Sequence, residues 1–338
     1  MTFGQKKIVY LLIGLGISVV ILWFLFRNVN FTALTAALRR ANYLWLIPNI
    51  LFIILTMYQR AYRWHFMLAP IQHVKFSALL AATCIGFMAN NVLPLRLGEF
   101  VRAYSLSYQD KRITKSASLA TIFVERMIFD LITLLVILGV VLYVSHLSLN
   151  ESMKYGLNLA IGIALLGIFL VVVLALKPNQ IGSFLARYLF FAPERMRDVI
   201  KSVVLKFSRG LEFLTSAKSV SSVAFQTLLI WLLMGLSNIF VFWAFGFHLS
   251  LDASYVLLVV VSVSILVPSS PGFVGVYHAG AVWALMAYGI SKEDALSCAL
   301  VLHAAQYIVV TLMGFYFLRK EHLSLKKLGE EATEEMPA

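Results

Sequence analysis

Residues 76–102 carry the polar groups whose types and spacing best suit chemistry. Twenty uncharged residues, Phe76 to Leu95, lead into a compact polar cluster made up of Asn90, Asn91, Pro94, Arg96, Gly98, Glu99 and Arg102. Charge beside hydrocarbon is expensive and tends to be kept where it serves a substrate or an ion path. A helix broken by proline and glycine is tolerated at membrane depth only where its freed backbone faces protein or a water-filled cavity. The segment is therefore predicted to line a polar cavity inside a membrane protein.

The charged residues of this cluster suit an anionic group such as a phosphate. A helix running on from Pro94 would place Arg96, Glu99 and Arg102 on one face by their spacing of three. Proline in its first turn would leave free N–H groups and partial positive charge near Arg96. Arginine can bind a phosphate through two parallel hydrogen bonds, while Glu99 could hold Arg102 or contact a cationic head group. The alternative is structural: Glu99 pairs with an arginine to hold the fold, and the two asparagines satisfy carbonyls of the broken helix.

A second broken element lies far along the chain. Pro271 to Gly275 repeats the Pro-x-x-x-Gly spacing of Pro94 to Gly98, and each element ends an apolar stretch. Paired interrupted segments in the two halves of a chain point to a transporter binding site. The predicted substrate-binding residues therefore also include, from this element and its surroundings, Ser270, Gly272, Gly275 and His278. An ordinary turn between two spans is the alternative for the element, and a helix–helix contact is the alternative for His278.

The composition is that of an integral membrane protein. Of 338 residues, 61% are hydrophobic and 13% are charged, and the mean hydropathy is +0.87. Uncharged runs such as Ile8–Phe26, Tyr155–Leu176 and Ser219–Phe247 are near or above the roughly 20 residues that cross a bilayer. We predict an all-α, polytopic protein with about eight membrane segments, some broken or re-entrant, and an inverted repeat as an option. A transmembrane domain would span residues 1–320, with an amphipathic cytoplasmic connection at 177–218 and a disordered cytoplasmic tail at 321–338.

The distribution of basic residues predicts the orientation, because lysine and arginine concentrate in cytoplasmic loops. We take Phe76–Leu95 to enter and leave on one side and Ala253–Ser291 to fold as a hairpin. Of the 28 Lys and Arg residues, 22 then lie on the inner side, five lie on the outer side and Arg126 lies within a span. Both termini are therefore predicted to be cytoplasmic. The net charge of +12 then reflects topology and anionic lipid, and nucleic acid is not an expected partner.

Several other polar residues fall within or beside apolar runs. Arg126 could face the cavity, although its spacing of four from Asp130 also predicts an ion pair. Arg60 and Arg63 are predicted to reach the inner interface. His303 is interpreted as a helix–helix contact, with a proton relay as the alternative. The sequence shows no catalytic constellation, metal-ligand spacing or cofactor motif, so neither an enzyme activity nor a cofactor is expected.

Several motifs together resemble the lysylphosphatidylglycerol synthase transmembrane-region family, which includes the flippase domain of the multiple peptide resistance factor. They are Asn-Asn-x-x-Pro-x-Arg-x-Gly-Glu-x-x-Arg at 90–102, Arg-Ala-Tyr-Arg-Trp at 60–64, Glu-Arg-x-x-x-Asp at 125–130 and Ser-Pro-Gly-Phe-Val-Gly at 270–275. Two departures from the family pattern, Leu95 in place of glycine and His278 near a common acidic position, leave the head-group preference open. The aminoacyl-transferase domain of the large resistance factor has no counterpart in this sequence, so lipid lysylation is not expected.

The resemblance implies a stand-alone protein of the bacterial inner membrane that moves a phospholipid or a lipid-linked head group. Two alternatives stay open: an accessory subunit that anchors or regulates a lipid or glycan synthase, and a membrane enzyme that acts on a lipid phosphate. The expected partners are the lipid substrate and either a second copy of the chain or a synthase.

Overall fold

The computed structural model describes residues 3–144 and 207–334, together with isolated positions between 155 and 180. Most of the predicted amphipathic connection at 177–218 lies outside these residues. The described part is all-helical, as predicted. Its helices are α1 (Phe3–Phe26), α2 (Phe31–Arg40), α3 (Leu46–Leu68), α4 (Phe76–Val92), α5 (Gly98–Gln109), α6 (Lys115–Val124), α7 (Leu131–Val144), α8 (Ala217–Ala244), α9 (Leu251–Ser264), α10 (Val276–Met286), α11 (Lys292–Lys320) and α12 (Leu325–Glu334).

Three of the described helices are long and apolar enough to cross a bilayer: Tyr43–Leu68, Ala217–Ala244 and Lys292–Lys320. A fourth candidate is the pair Leu12–Phe26 and Phe31–Arg40, which meets at a bend of 90°. Shorter apolar helices, α4 and α9, lie among them. The chain is thus a polytopic membrane protein, and the count of eight membrane segments stays a prediction.

Two helical hairpins carry the elements that the sequence predicts to be broken. Helix α5 folds back on α4 so closely that a Cβ atom on Gly98 would collide with the backbone carbonyl of Gly86. Helix α10 folds back on α9 in the same manner, and a Cβ atom on Gly280 would collide with the Ser264 side chain. Small residues allow such close approach of helices in a membrane. The predicted hairpin of Ala253–Ser291 is present, whereas Phe76–Leu95, predicted to enter and leave on one side, runs as one helix to Val92 and the chain returns only through α5.

Two apolar clusters support these hairpins. The first surrounds α4 and α5 and includes Trp64 of α3, and the second joins α9, α10 and α11. Many large apolar side chains point outward, among them Val19 and Leu312. Outward apolar faces around a packed interior are what a lipid-embedded bundle requires.

The C-terminal segment is ordered where the sequence predicts disorder. Leu325–Glu334 forms α12, which packs on α5 with Leu328 fully buried. Glu331 accepts hydrogen bonds from the hydroxyl of Tyr108 and, at 3.3 Å, from Lys115. The prediction of a disordered tail is therefore wrong for these residues. The run of charges in the segment obscured the leucines that anchor it to the bundle.

Candidate functional site

The two broken elements meet at the tips of the hairpins. The first hairpin turns through a short 3-10 segment, Pro94–Arg96, and the second through Pro271–Phe273. The Arg96 guanidinium lies 4.7 Å from the centre of the Phe273 ring, a distance at which a cation and an aromatic face attract each other. The two Pro/Gly elements therefore contact each other, and a substrate site shared between them stays a prediction.

The backbone at the first tip separates residues that the sequence places on one helical face. Arg96 has a φ of +55°, a left-handed conformation that is uncommon for residues other than glycine. Helix α5 begins only at Gly98, and Pro94 opens the preceding 3-10 turn instead. The expected common face holds for Glu99 and Arg102 on α5 but is wrong for Arg96, because this left-handed residue ends the helical periodicity before Glu99.

The two asparagines satisfy groups at the break and position Glu99. The Gly98 N–H donates to Asn90 Oδ1 at 2.8 Å, and Asn90 Nδ2 lies 3.4 Å from each carboxylate oxygen of Glu99. Asn91 Nδ2 donates to Thr311 Oγ1 at 2.9 Å, which ties the tip to α11. Asn90 thus performs the structural role that the sequence leaves open, and it also orients a carboxylate at the edge of the site.

Glu99 pairs with Arg126. The spacing along α5 suggested Arg102 as its partner instead. Arg126 Nη2 lies 3.5 Å from Glu99 Oε1, and Arg126 Nη1 lies 3.1 Å from Asp130 Oδ2, which confirms the predicted pair of Arg126 with Asp130. The side chains of Arg126 and Glu99 stay 29% and 31% exposed. These two charges are therefore open to a ligand, and Arg96 lies within electrostatic range of both.

A second ion network lies deeper in the bundle, and the sequence did not predict its central residue, Arg63. Arg63 is fully buried and contacts Asp130 Oδ1 at 2.6 Å and Glu125 Oε1 at 2.8 Å. Arg102 Nη1 contacts the same Glu125 oxygen at 2.9 Å, and the Arg102 guanidinium lies 4.0 Å from the centre of the Trp64 ring. Buried charges need partners and hydrogen bonds of this kind.

The prediction that Arg60 and Arg63 reach the membrane interface is wrong. Arg63 turns inward because two carboxylates converge on it. Arg60 is buried as well, with its guanidinium 4.8 Å from the centre of the Phe87 ring and Nη2 3.1 Å from Met234 Sδ. An interfacial position keeps an arginine in water, whereas packing against these groups stabilises it inside the bundle.

A π-helical turn explains how both carboxylates reach Arg63. Glu125–Asp130 forms this turn between α6 and α7. Residues five apart diverge on an α-helix, but the wider i to i+5 turn brings them to one side. The Glu-Arg-x-x-x-Asp motif was visible in the sequence, yet α-helical spacing gave no reason to group Glu125 with Asp130. Single π turns recur at functional sites.

The combined site has an excess of positive charge. Five arginines face three carboxylates, which leaves a net charge of +2, and the members are Arg60, Arg63, Arg96, Arg102, Arg126, Glu99, Glu125 and Asp130. Such an excess favours an anionic ligand. The described residues contain no group of three or more side chains suited to a metal ion.

The tip of the second hairpin is held by neutral groups. The Ser270 N–H donates to Ser18 Oγ at 2.9 Å, and this hydroxyl donates to the Val274 carbonyl at 2.9 Å. Gly272 and Gly275 have φ of +70° and +92°, so both need the conformational freedom of glycine. The structure thus assigns the predicted residues Ser270, Gly272 and Gly275 to the backbone of the tip.

His278 belongs to a hydrogen-bonded pair of histidines. The Gly275 N–H donates to His278 Nδ1 at 3.3 Å, and His278 Nε2 lies 3.2 Å from His303 Nδ1. His303 Nε2 lies 2.8 Å from the Gly272 carbonyl oxygen. Each histidine thus makes a contact between helices, which was the interpretation for His303 and the alternative for His278, and nothing in the sequence indicated that the two contact each other.

Comparison with known proteins places the chain in a family. It is 25% identical over 291 aligned residues to the glycosyltransferase AglD of Haloferax volcanii, an alignment that covers 77% of this chain and 46% of the relative. The chain therefore spans about half the length of this curated relative. No solved structure matches the chain. The family profile described as the lysylphosphatidylglycerol synthase TM region matches residues 11–314, and the chain belongs to that family.

Proposed function

We propose that this protein moves a phospholipid or a lipid-linked anionic head group across the membrane. The observation that carries the proposal is the meeting of two broken hairpins at Arg96 and Phe273, beside the half-exposed pair Glu99 and Arg126. Paired broken helices at a common site are the arrangement that transporters use for their substrates. The net charge of +2 suits a phosphate, and no covalent chemistry is assigned to the site.

The head group would exchange partners with the half-exposed residues. The contact of 3.5 Å between Arg126 and Glu99 is long for an ion pair, so a phosphate oxygen can replace the carboxylate at modest cost. Asp130 would keep Arg126 oriented meanwhile. Arg96 would supply a second donor, since among the described residues its contacts are with Phe273 and the nearby charges. The acyl chains would stay in lipid along the apolar outer faces of the helices.

The comparisons support a membrane function related to lipids or glycans. The family is defined by the membrane region of a lipid-modifying synthase, and the archaeal relative is named as a glycosyltransferase. We place the protein in the bacterial cytoplasmic membrane with both termini inside, a position that the asymmetry of basic residues supports. Its partners would be the lipid and either a second copy of the chain or a synthase.

Reconstitution tests the proposal. Proteoliposomes with fluorescent phosphatidylglycerol would report translocation as the loss of the signal to a membrane-impermeant quencher. Arg96→Ala and Glu99→Gln are expected to slow translocation by roughly tenfold or more, because a hydrogen bond to a charged group is worth about 1.5–3 kcal/mol. Arg40→Ala is the matched control, since Arg40 is largely exposed and pairs with Asp294 at the start of α11. Wild-type rates in both site variants would refute the assignment of the site.

The accessory role is a second candidate, favoured by one observation. The relative of this chain is roughly twice as long and is named for glycosyl transfer, which fits a membrane unit that serves a synthase. This candidate predicts that the wild-type protein alone moves no lipid, yet changes the rate of a synthase reconstituted with it. Lipid movement by the purified protein would contradict it.

A further inference from the structure

The histidine pair beneath the second hairpin tip forms a hydrogen-bonded chain with one direction. A backbone N–H can only donate, so His278 Nδ1 must accept the hydrogen bond from Gly275. A carbonyl can only accept, so His303 Nε2 must donate to Gly272. One hydrogen remains between His278 Nε2 and His303 Nδ1, and these nitrogens are 3.2 Å apart.

Only one protonation state satisfies all three contacts. Both histidines are neutral, and each carries its hydrogen on Nε2. A further proton on His278 Nδ1 would face the Gly275 N–H, and a further proton on His303 Nδ1 would face the His278 Nε2–H. The first event breaks the hydrogen bond from Gly275 at the tip to His278, and the second breaks the hydrogen bond between the two rings, which joins α10 to α11. Binding of a proton and this arrangement of the pair therefore exclude each other.

The surroundings offer little compensation for an added charge. The titratable groups in ring contact with the pair are Tyr277 of α10 and Tyr307 of α11, and Cys298 of α11 acts on Tyr277. Helices α1 and α9 contribute hydroxyl groups near the tip, those of Ser18 and Ser264. Among the described residues no carboxylate acts on either histidine, whereas the two rings act on each other. A proton added to the pair therefore finds no counter-charge at this position.

The pair is connected directly to the candidate site. His303 holds the carbonyl of Gly272, and the next residue, Phe273, contacts the Arg96 guanidinium. A proton on His278 Nδ1 releases the Gly275 N–H, two residues after Phe273, and the loosened tip can then move the Phe273 ring away from Arg96. A change at the histidines is thereby transmitted to a proposed phosphate donor through two residues.

We propose that His278 and His303 form a proton-binding site that couples proton uptake to the movement of the second hairpin tip. The inference rests on the proposed function and deepens it, since it names protons as the coupling ion for lipid movement. Uptake of one proton breaks the contact of His278 with Gly275 or with His303, and release of that proton to water restores the chain. The ordinary role of capping a broken helix is retained in the neutral state.

Two substitutions remove the titrating ring and preserve the backbone contact. In His278→Asn, the amide oxygen can replace Nδ1 as the acceptor for Gly275. In His303→Gln, the amide nitrogen can replace Nε2 as the donor to Gly272. His248→Gln is the matched control, because His248 is exposed and lies outside both hairpins.

The test measures translocation of fluorescent phosphatidylglycerol in proteoliposomes with and without an imposed pH gradient. The wild-type protein and His248→Gln are expected to respond to the gradient with a several-fold change in rate. His278→Asn and His303→Gln should move lipid at a rate that the gradient does not change. A wild-type rate independent of the gradient, or retention of the response in both site variants, would overturn the inference and leave the proposed function intact.

Hydrogen–deuterium exchange in detergent supplies a readout that needs no transport. Protection of the amides in 270–276, corrected for intrinsic exchange, should fall on acidification in the wild type and stay constant in both site variants. If wild-type protein moves no lipid but this pH-dependent loss of protection occurs, the proposed function fails and the proton site stands. Constant protection in the wild type would overturn the proton site. If one of the two variants, His278→Asn or His303→Gln, does not fold, the other supplies the test of the proton site.

Discussion

Glu125→Gln is the substitution that tests the buried ion network most directly. The Glu125 carboxylate is fully buried, and its Oε1 atom contacts Arg63 at 2.8 Å and Arg102 at 2.9 Å. Glutamine keeps the shape of the side chain and removes its charge. Arg63 retains Asp130, but among the described residues Glu125 is the one carboxylate within ion-pair distance of Arg102. The substitution therefore leaves a buried cation without a counter-charge.

The expected loss of stability is large. Removing one partner of a buried ion pair costs about 3–5 kcal/mol, because the remaining charge stays buried and uncompensated. The Arg102 guanidinium keeps its contact with the Trp64 ring, 4.0 Å away, which favours the lower end of this range. We expect a loss of about 3 kcal/mol. Exchange of both partners, in Glu125→Gln with Arg102→Met, should recover part of it, because no buried charge is then left alone.

Thermal unfolding in detergent can be followed with a dye that fluoresces on reaction with thiols. The two cysteines, Cys84 and Cys298, are both buried and would react only as the bundle opens. Glu99→Gln is the matched control: it makes the same chemical change at a side chain that is 31% exposed, where a pair is worth about 1 kcal/mol or less. Equal unfolding temperatures for the two variants would refute the proposed energetics of the network.

Two further outcomes concern topology and the C-terminal helix. A cysteine that replaces Lys292 should react with an impermeant maleimide from outside the cell, whereas a cysteine at Lys111 should react only after lysis; the reverse pattern would contradict the predicted orientation. The Tyr108 hydroxyl holds the pKa of Glu331 below its usual value. The interaction between Tyr108 and Glu331 therefore stabilises the docking of α12 at pH values above about 4.5, the usual pKa of this carboxyl. This contribution is lost as the pH falls through the lowered pKa of Glu331. Glu331→Gln should make α12 more sensitive to protease at neutral pH, whereas the same change at the more exposed Glu330 should not.

The sequence by itself determined the class of protein and the location of its breaks. Long uncharged runs cannot form a soluble core, and Pro94 to Gly98 and Pro271 to Gly275 are incompatible with continuous helices. The pairing of Arg126 with Asp130 followed from their spacing within one helical segment. These inferences hold because each depends on composition or on neighbours along the chain.

The tertiary structure decided which charges meet. Glu99 contacts Arg126 in place of Arg102, because Arg102 pairs with the buried Glu125. The buried position of Arg63 depends on a π turn whose presence no α-helical pattern indicates.

The contact between the two histidines, and the ordering of the C-terminal helix, likewise required the folded bundle. His278 and His303 lie on separate helices, and α12 is held through Leu328 and Glu331. A sequence specifies separations along the chain, whereas partners on different helices are selected by close packing and by the cost of leaving a polar group unpaired inside a bilayer.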